Sequence, residues 1–373
     1  MKEPFNPFVI NTYQGKDYFC DREIDLDMLI SHIENDRNVV LYAWRRIGKS
    51  ALIHRLFEEL ETFKGFETLY IDLLATQNLE EAIQAIASAI YEKYGKTTSG
   101  ISASIQKLLA SIGATINFSA LSGLPEITLG MNKSEQPSQS LKALGEFLLS
   151  RKKRIVIAID EFQQITDYEG AKAEAVFRTW VQQIPEVRFI FSGSHRTLME
   201  SMFTEKNRPF YQSSQLESLQ PIKLEAYTEF ILKHFQAAKK TIEPDSIAKI
   251  YTWSRGQTYT VQLVCNHLFA NFKKVTNPDV DVVFDQILKQ QQAIFANFQK
   301  MLTRAQWNVF RAIAKEEPLQ NPLSKDFIQK HNLGAASTVS TALKALEKLE
   351  LVIKDEGSYL VHEVQLARWM ASL

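Results

Sequence analysis

Cysteine is almost missing from this 373-residue chain: Cys20 and Cys265 are its only two. Two cysteines cannot build the disulfide framework of a small secreted domain, and these lack the paired spacing of a zinc site. An excess of one charge is missing as well. Lysine plus arginine is 43 and aspartate plus glutamate is 43, so the formal net charge is zero. No global basic field draws such a protein onto nucleic acid or an anionic membrane. No apolar run reaches the length of a membrane span, and Met1-Lys2-Glu3-Pro4 lacks the apolar core of a secretion signal. The expectation is a soluble, cytoplasmic protein with no membrane partner. What is present is ordinary globular composition, 45% hydrophobic and 23% charged, which argues against disorder or a coiled rod. The length allows two or three domains, each with its own core.

Asn38-Val39-Val40-Leu41-Tyr42 is a continuous apolar run of the kind found in buried parallel strands. After a polar loop, Leu52, Ile53, Leu56, Phe57 and Leu60 repeat at the spacing of one helical face. Further strands are expected at Thr68–Leu73, Ile155–Ile159 and Val187–Phe191, with helices around Leu79–Ile90 and Phe177–Ile184. Strands alternating with helices over such crossovers imply a parallel sheet covered on both faces. Residues from about 96 to 138, rich in Ser, Gly and Thr, read as a hairpin insertion, with Thr115–Phe118 and Glu126–Leu129 as its strands. From Leu224 to about Gln299 the pattern is helical throughout, with no strand candidate. The expected domains are therefore 1–223, 224–299 and 300–373.

The chemistry concentrates in Ala43-Trp44-Arg45-Arg46-Ile47-Gly48-Lys49-Ser50, between a buried strand and an amphipathic helix. That is the setting of a phosphate-binding loop, where backbone N–H groups at a helix start cradle phosphate oxygens. Gly48 permits close backbone approach, Lys49 would reach the β- and γ-phosphates, and the Ser50 hydroxyl would ligate Mg²⁺. The usual pattern begins with glycine where this chain has Ala43. Asp160 and Glu161 follow a buried strand, at the edge where open α/β sheets bind ligands. Asp160 would hold Mg²⁺ opposite Ser50, and Glu161 would polarise the water attacking the γ-phosphate. ATP and Mg²⁺ are thus the expected cofactors. In Ser192-Gly193-Ser194-His195-Arg196, Ser194 is the candidate γ-phosphate sensor, although Ser-Gly-Ser is also ordinary turn chemistry. Arg196 and Arg208 are candidates for an arginine finger, or plain surface arginines; His195 reads as structural.

These motifs resemble the archaeal-type ATPases of the STAND branch of AAA+-related P-loop proteins. The resemblance rests on Tyr18-Phe19-Cys20-Asp21-Arg22-Glu23, Arg45-Arg46-Ile47-Gly48-Lys49-Ser50, Ile159-Asp160-Glu161-Phe162-Gln163, Phe191-Ser192-Gly193-Ser194 and Arg208-Pro209-Phe210-Tyr211. It implies a P-loop core, a helical lid and a C-terminal winged helix, in which ATP turnover moves lid and C-terminal domain. It also implies that the segment at Tyr18–Glu23 packs near the adenine. The family's Gly-x-Pro in the lid stands here as Gly256-Gln257-Thr258, without the proline, and Tyr259 occupies the place of a sensor arginine.

After Leu302 the pattern fits a winged helix in its own right. Asn332-Leu333-Gly334 can end one helix, Ser337 can cap the next, and Asp355-Glu356-Gly357 turns between two short strands. From Met301 onward nine basic residues stand against eight acidic ones, far from the footprint of a DNA reader. Three functions compete: an ATP-hydrolysing switch acting on a macromolecular partner, an ATP-responsive DNA-binding regulator, and a small-molecule kinase. The adjacency of Glu161 to Asp160 suits activation of water and counts against the kinase. The charge count favours a protein partner or self-association over DNA.

Overall fold

The computed structural model describes residues 5–95, 101–118, 125–129, 136–169 and 172–373. It divides into two compact units, one of residues 22–220 and one joining the segment up to Asp21 with 221–373.

The first unit is built on five parallel strands: β1 (Val39–Tyr42), β2 (Glu67–Asp72), β3 (Ile155–Asp160), β4 (Val187–Gly193) and β5 (Gln215–Ser218). Their spatial order is β2-β3-β4-β1-β5. Every residue of β1 and β3 is buried, as the apolar runs require of strands covered on both faces. Register places Tyr42 beside Gly193, Ile159 beside Phe191 and Asp72 beside Asp160. β4 therefore lies between β1 and β3, and the segments leaving all three emerge at one edge of the sheet. β5 was not expected from the sequence. Gln-Leu-Glu-Ser has no apolar run, and only its parallel pairing with β1 makes it a strand.

Helix Lys49–Phe63 buries Leu52, Ile53, Leu56, Phe57 and Leu60, the expected face. An aromatic cluster of Phe162, Phe177, Phe191, Phe203 and Phe210 packs beneath the carboxyl ends of β3 and β4. The expected hairpin is present as Ala114–Phe118 paired antiparallel with Pro125–Leu129. It is preceded by an unexpected helix, Ile101–Ser111, whose Ile105, Leu108 and Leu109 join the core. Parts of the expected insertion, residues 96–100, 119–124 and 130–135, lie outside the described residues.

In the second unit, helices Leu224–Ala237, Pro244–Ser254, Thr258–Asn271 and Asn277–Met301 enclose a core containing Phe8, Tyr227, Phe235, Ile250, Val264 and Leu268. Cys20 and Cys265 are buried and not joined in a disulfide. The expectation of no strand here fails in a small way: Thr241–Ile242 and Lys274–Val275 pair in parallel, two residues each, too short to leave a pattern. Helix Asn277–Met301 runs 25 residues from a Thr276–Asp279 capping box. Its first half serves the core just named, and Phe295 joins the next one.

That next core belongs to helices Arg304–Glu316, Lys325–Lys330, Ala336–Lys348 and Val364–Ala371 with strands Val352–Asp355 and Ser358–Val361. Glu356 and Gly357 both adopt left-handed φ, 46° and 84°, the backbone of a tight two-residue hairpin turn. Asn332 and Gly334 are left-handed as anticipated. Ser337 does not cap the following helix. Ala335 occupies that position, and Ser337 already lies within the first turn. The fold is α/β: a P-loop NTPase-type parallel sheet with helices on both faces, then a helical segment and a winged helix.

Candidate functional site

The loop Ala43–Gly48 leaves β1 and delivers Lys49 and Ser50 to the first turn of helix Lys49–Phe63, with Gly48 as N-cap. Within it, Arg46 (φ 67°) and Gly48 (φ 103°) are left-handed. A non-glycine residue held there costs roughly 1–2 kcal/mol and signals a backbone fixed by its surroundings. Ala43 is buried and is absent from the left-handed residues of the described chain. Its departure from the glycine of the usual pattern therefore costs no backbone strain.

Ser50 Oγ donates to Asp160 Oδ2 at 2.7 Å, so the expected metal-binding pair meets across 110 residues of chain. Asp160 is 4% exposed. Burial by itself would raise its pKa, but the Tyr70 hydroxyl, the nearby Ser192 hydroxyl, the Lys49 charge and Ser50 Oγ together hold the carboxyl below its ordinary value. The lowered pKa favours the ionised carboxylate of Asp160 near neutral pH. Lys49 is 6% exposed, and burial pushes its pKa down against the pull of Asp160 and Glu161. A lysine brought this deep at a helix N-terminus gains from any anion that arrives beside it.

Glu161 sits at the end of β3 in left-handed backbone, φ 51°. Its Oε2 accepts hydrogen bonds from Ser194 Oγ at 2.7 Å and from Gln163 Nε2 at 2.5 Å. Arg45 Nε reaches Ser194 Oγ at 3.5 Å. The strand order thus brings Ser50, Asp160, Glu161, Ser194 and Arg45 to one sheet edge. Gly193 is required there by close approach. A Cβ would come within 2.3 Å of Gln163 Oε1 and 2.6 Å of Met199.

The finger candidates separate. Arg208 forks onto Glu174 through Nε at 3.2 Å and Nη2 at 2.7 Å, which ties it inside its own unit. Arg196 lies over the rings of Tyr42 and Trp44, 5.9 and 5.8 Å from their centroids, and pairs with Glu200. His195 caps helix Arg196–Thr204 by accepting from the Leu198 N–H at 3.3 Å.

Sequence reasoning missed two supports of the loop. Arg22, known only as part of a quoted segment, is buried and donates to the Ile47 carbonyl at 3.2 Å and the Gln220 carbonyl at 2.6 Å. Tyr70 donates to Asp160 Oδ2 at 2.5 Å. Neither left a clear sign in the sequence; the left-handed backbone of Arg22 (φ 81°) shows only in the structure. In the second unit, Gly256 (φ 66°) stands where a Cβ would press on the Tyr251 ring, and Gln257 takes the N-cap position of the next helix without a side-chain capping bond and without the family's proline.

Among the described residues no helix is long and apolar enough to cross a membrane. No curated protein matches the sequence. Solved structures of similar fold include a Walker-type ATPase of Pyrococcus abyssi, 18% identical, TM-score 0.67, with 98% of this chain and 99% of that one covered. The Aeropyrum pernix ORC2 protein in its ADPNP–ADP complexes is 13% identical, TM-score 0.59, covering 98% and 96%. The Aeropyrum pernix ORC1 protein in complex with DNA is 12% identical, TM-score 0.52, covering 96% and 94%. Identities this low speak for the fold alone. Residues 293–372 match a family described as a probable winged helix domain. Residues 19–264 match the model of an ATPase domain found predominantly in Archaea, and on that match over most of its length the chain belongs to this ATPase family.

Proposed function

We propose that this chain binds ATP with Mg²⁺ and hydrolyses it, and that it works as a nucleotide-driven switch of the STAND type coupled to a macromolecular partner. The observation that carries the reading is the convergence of buried Lys49, the Ser50–Asp160 pair and the Glu161–Ser194 pair at one sheet edge. Residues 43–50 would wrap the phosphates, with Lys49 on the β- and γ-oxygens. Ser50 and Asp160 fit Mg²⁺, which is commonly held by one or two protein oxygens together with substrate phosphates and water. When bound, the ion neutralises charge developing on the transferred phosphoryl group. Glu161 would take the proton of the attacking water, and Ser194, donating to it, would report on the γ-phosphate. The solved ORC2 complexes carry ADPNP and ADP, in keeping with a nucleotide here.

In this reading residues 1–223 are the ATPase core, with an insertion at about 96–138. Residues 224–299 are the lid and 300–373 the winged helix. ORC1 was solved with DNA, which favours a second reading as an ATP-responsive DNA-binding regulator. Ser337, Thr338, Thr341, Lys344 and Lys348 are exposed on helix Ala336–Lys348 and form the face it would use. Against it, Lys330 is paired with Glu316 and Arg368 with Glu317, leaving the balanced domain fewer free cations. A protein contact or self-association therefore ranks first. Calorimetry with ATP and Mg²⁺ tests the site. The parent protein is expected to bind and Lys49→Ala to lose at least about 1.5–3 kcal/mol. Unchanged affinity in Lys49→Ala overturns the assignment. Fluorescence anisotropy with random duplex at low salt separates the partners: micromolar binding that weakens steeply with salt would favour DNA.

A further inference from the structure

β2 runs beside β3 with Tyr70 opposite Ala158, two residue pairs before the Asp72–Asp160 step. From there the Tyr70 hydroxyl donates to Asp160 Oδ2 at 2.5 Å, the oxygen that also accepts from Ser50 Oγ at 2.7 Å. The other oxygen, Oδ1, accepts the Glu161 N–H at 3.1 Å. Three donors from three elements thus set the rotation of one buried carboxylate. The Tyr70 ring is itself fixed against the His54 imidazole, centroids 4.6 Å apart and planes 34° apart, one helical turn beyond Ser50.

We propose that Tyr70 is a positioning residue for the metal of the nucleotide site: its hydroxyl locks the Asp160 carboxylate in the orientation that receives Mg²⁺. The inference rests on the Mg–ATP reading above and extends it to a residue that carries no motif. A carboxylate hinged at Cβ offers its oxygens over a range of directions, and a small octahedral ion tolerates little of that range. Partners that orient a ligand from behind typically change metal affinity by about 10–100-fold when removed. The lower end applies here, because Ser50 and the Glu161 N–H still hold the group.

The test measures ATP affinity by calorimetry across a Mg²⁺ titration in the parent, Tyr70→Phe, Asp160→Asn and the double variant. Direct Mn²⁺ binding by electron paramagnetic resonance serves as a second readout. Phenylalanine keeps the ring on His54, and Tyr70→Met repeats the measurement with a second side chain that lacks the hydroxyl. ATP affinity in EDTA is expected to stay at the parental value, while the half-saturating Mg²⁺ rises about 10-fold. In the Asp160→Asn background the Tyr70 substitution should add nothing, since it acts through that carboxylate. A parental Mg²⁺ midpoint in both hydroxyl-free variants overturns the inference, as does an undiminished effect in the Asp160→Asn background. A parent protein whose ATP affinity ignores Mg²⁺ overturns the site reading and this inference with it.

Discussion

Among the described residues each unit holds a buried ionic cluster, and the two are built on opposite plans. In the second unit Glu317, with a side chain only 3% exposed, faces Arg255 Nη2 at 3.0 Å and Arg368 Nη1 at 3.4 Å. Backbone groups join the cluster: Glu317 Oε2 accepts the Val361 N–H, Arg255 donates to the Val361 carbonyl, and Arg368 donates to the Trp253 carbonyl, while Arg255 Nε stays buried without a hydrogen-bond partner. Carboxylate, guanidinium and carbonyl answer one another, and the cluster ties helix Pro244–Ser254 to the winged helix. At the sheet edge of the first unit, Asp160 and Glu161 are held by hydrogen bonds from Tyr70, Ser50, Ser194 and Gln163, and the Lys49 ammonium is buried near both carboxylates. The difference teaches how to tell architecture from chemistry. A closed network of opposite charges spends its polarity on holding elements together, whereas a cluster fixed from behind keeps polarity for a ligand.

The largest expected effect tests the chemical cluster. Glu161→Gln should retain ATP binding while phosphate release falls roughly 10²–10⁴-fold, the usual share of a general base. Hydrolysis at the parental rate would remove Glu161 from that role. Phe162→Ala probes what holds it in place. This fully buried ring is packed with Phe177, Phe191 and Phe210, and its loss should cost about 3–5 kcal/mol in chemical denaturation.

Glu317→Ala tests the closed cluster. Leaving two guanidiniums without their carboxylate should cost about 3 kcal/mol, the low end for a broken buried pair, because both arginines keep some contact with water. A loss below about 1 kcal/mol would reduce it to a surface-type pair. The pH response has a definite sign at Asp160, whose folded pKa is depressed. Its contribution to stability is complete above the ordinary carboxylate range near pH ~4 and is lost as pH falls through the lowered value. Denaturation of the parent against Asp160→Asn should therefore show a difference that shrinks in acid. The smallest effect is at Thr303, whose side chain accepts the Gln306 N–H to start helix Arg304–Glu316. Thr303→Ala should cost about 1 kcal/mol without touching nucleotide binding.

Much of this molecule was legible along the chain because local rules wrote it there. β1 and β3 announced themselves as unbroken apolar runs, which only strands buried on both faces need. The candidate phosphate loop was legible because its pattern needs Gly48, Lys49 and Ser50 in consecutive positions between a strand and a helix. The winged helix showed through caps and a two-residue turn. The misses share a cause. β5 and the two-residue strands at Thr241 and Lys274 exist by pairing, and pairing leaves no period in so short a segment. The helix at Ile101–Ser111 sits in a Ser- and Gly-rich stretch whose composition reads as loop. Ser337 looked like a cap because side-chain type was visible and backbone angle was not.

The sequence by itself determined the layered α/β plan, the loop, and which residues carry charge at the ends of β1 and β3, since these follow from periodicity and spacing within one segment. Tertiary structure alone decided who meets whom. Strand order set β4 between β1 and β3 and so brought Ser194 to Glu161. Register carried Tyr70 to Asp160, folding closed Arg208 onto Glu174, and Arg22 came to rest on the carbonyl of Ile47. Such contacts join residues tens of positions apart. Their physical basis is the packing of whole elements, which no local pattern records.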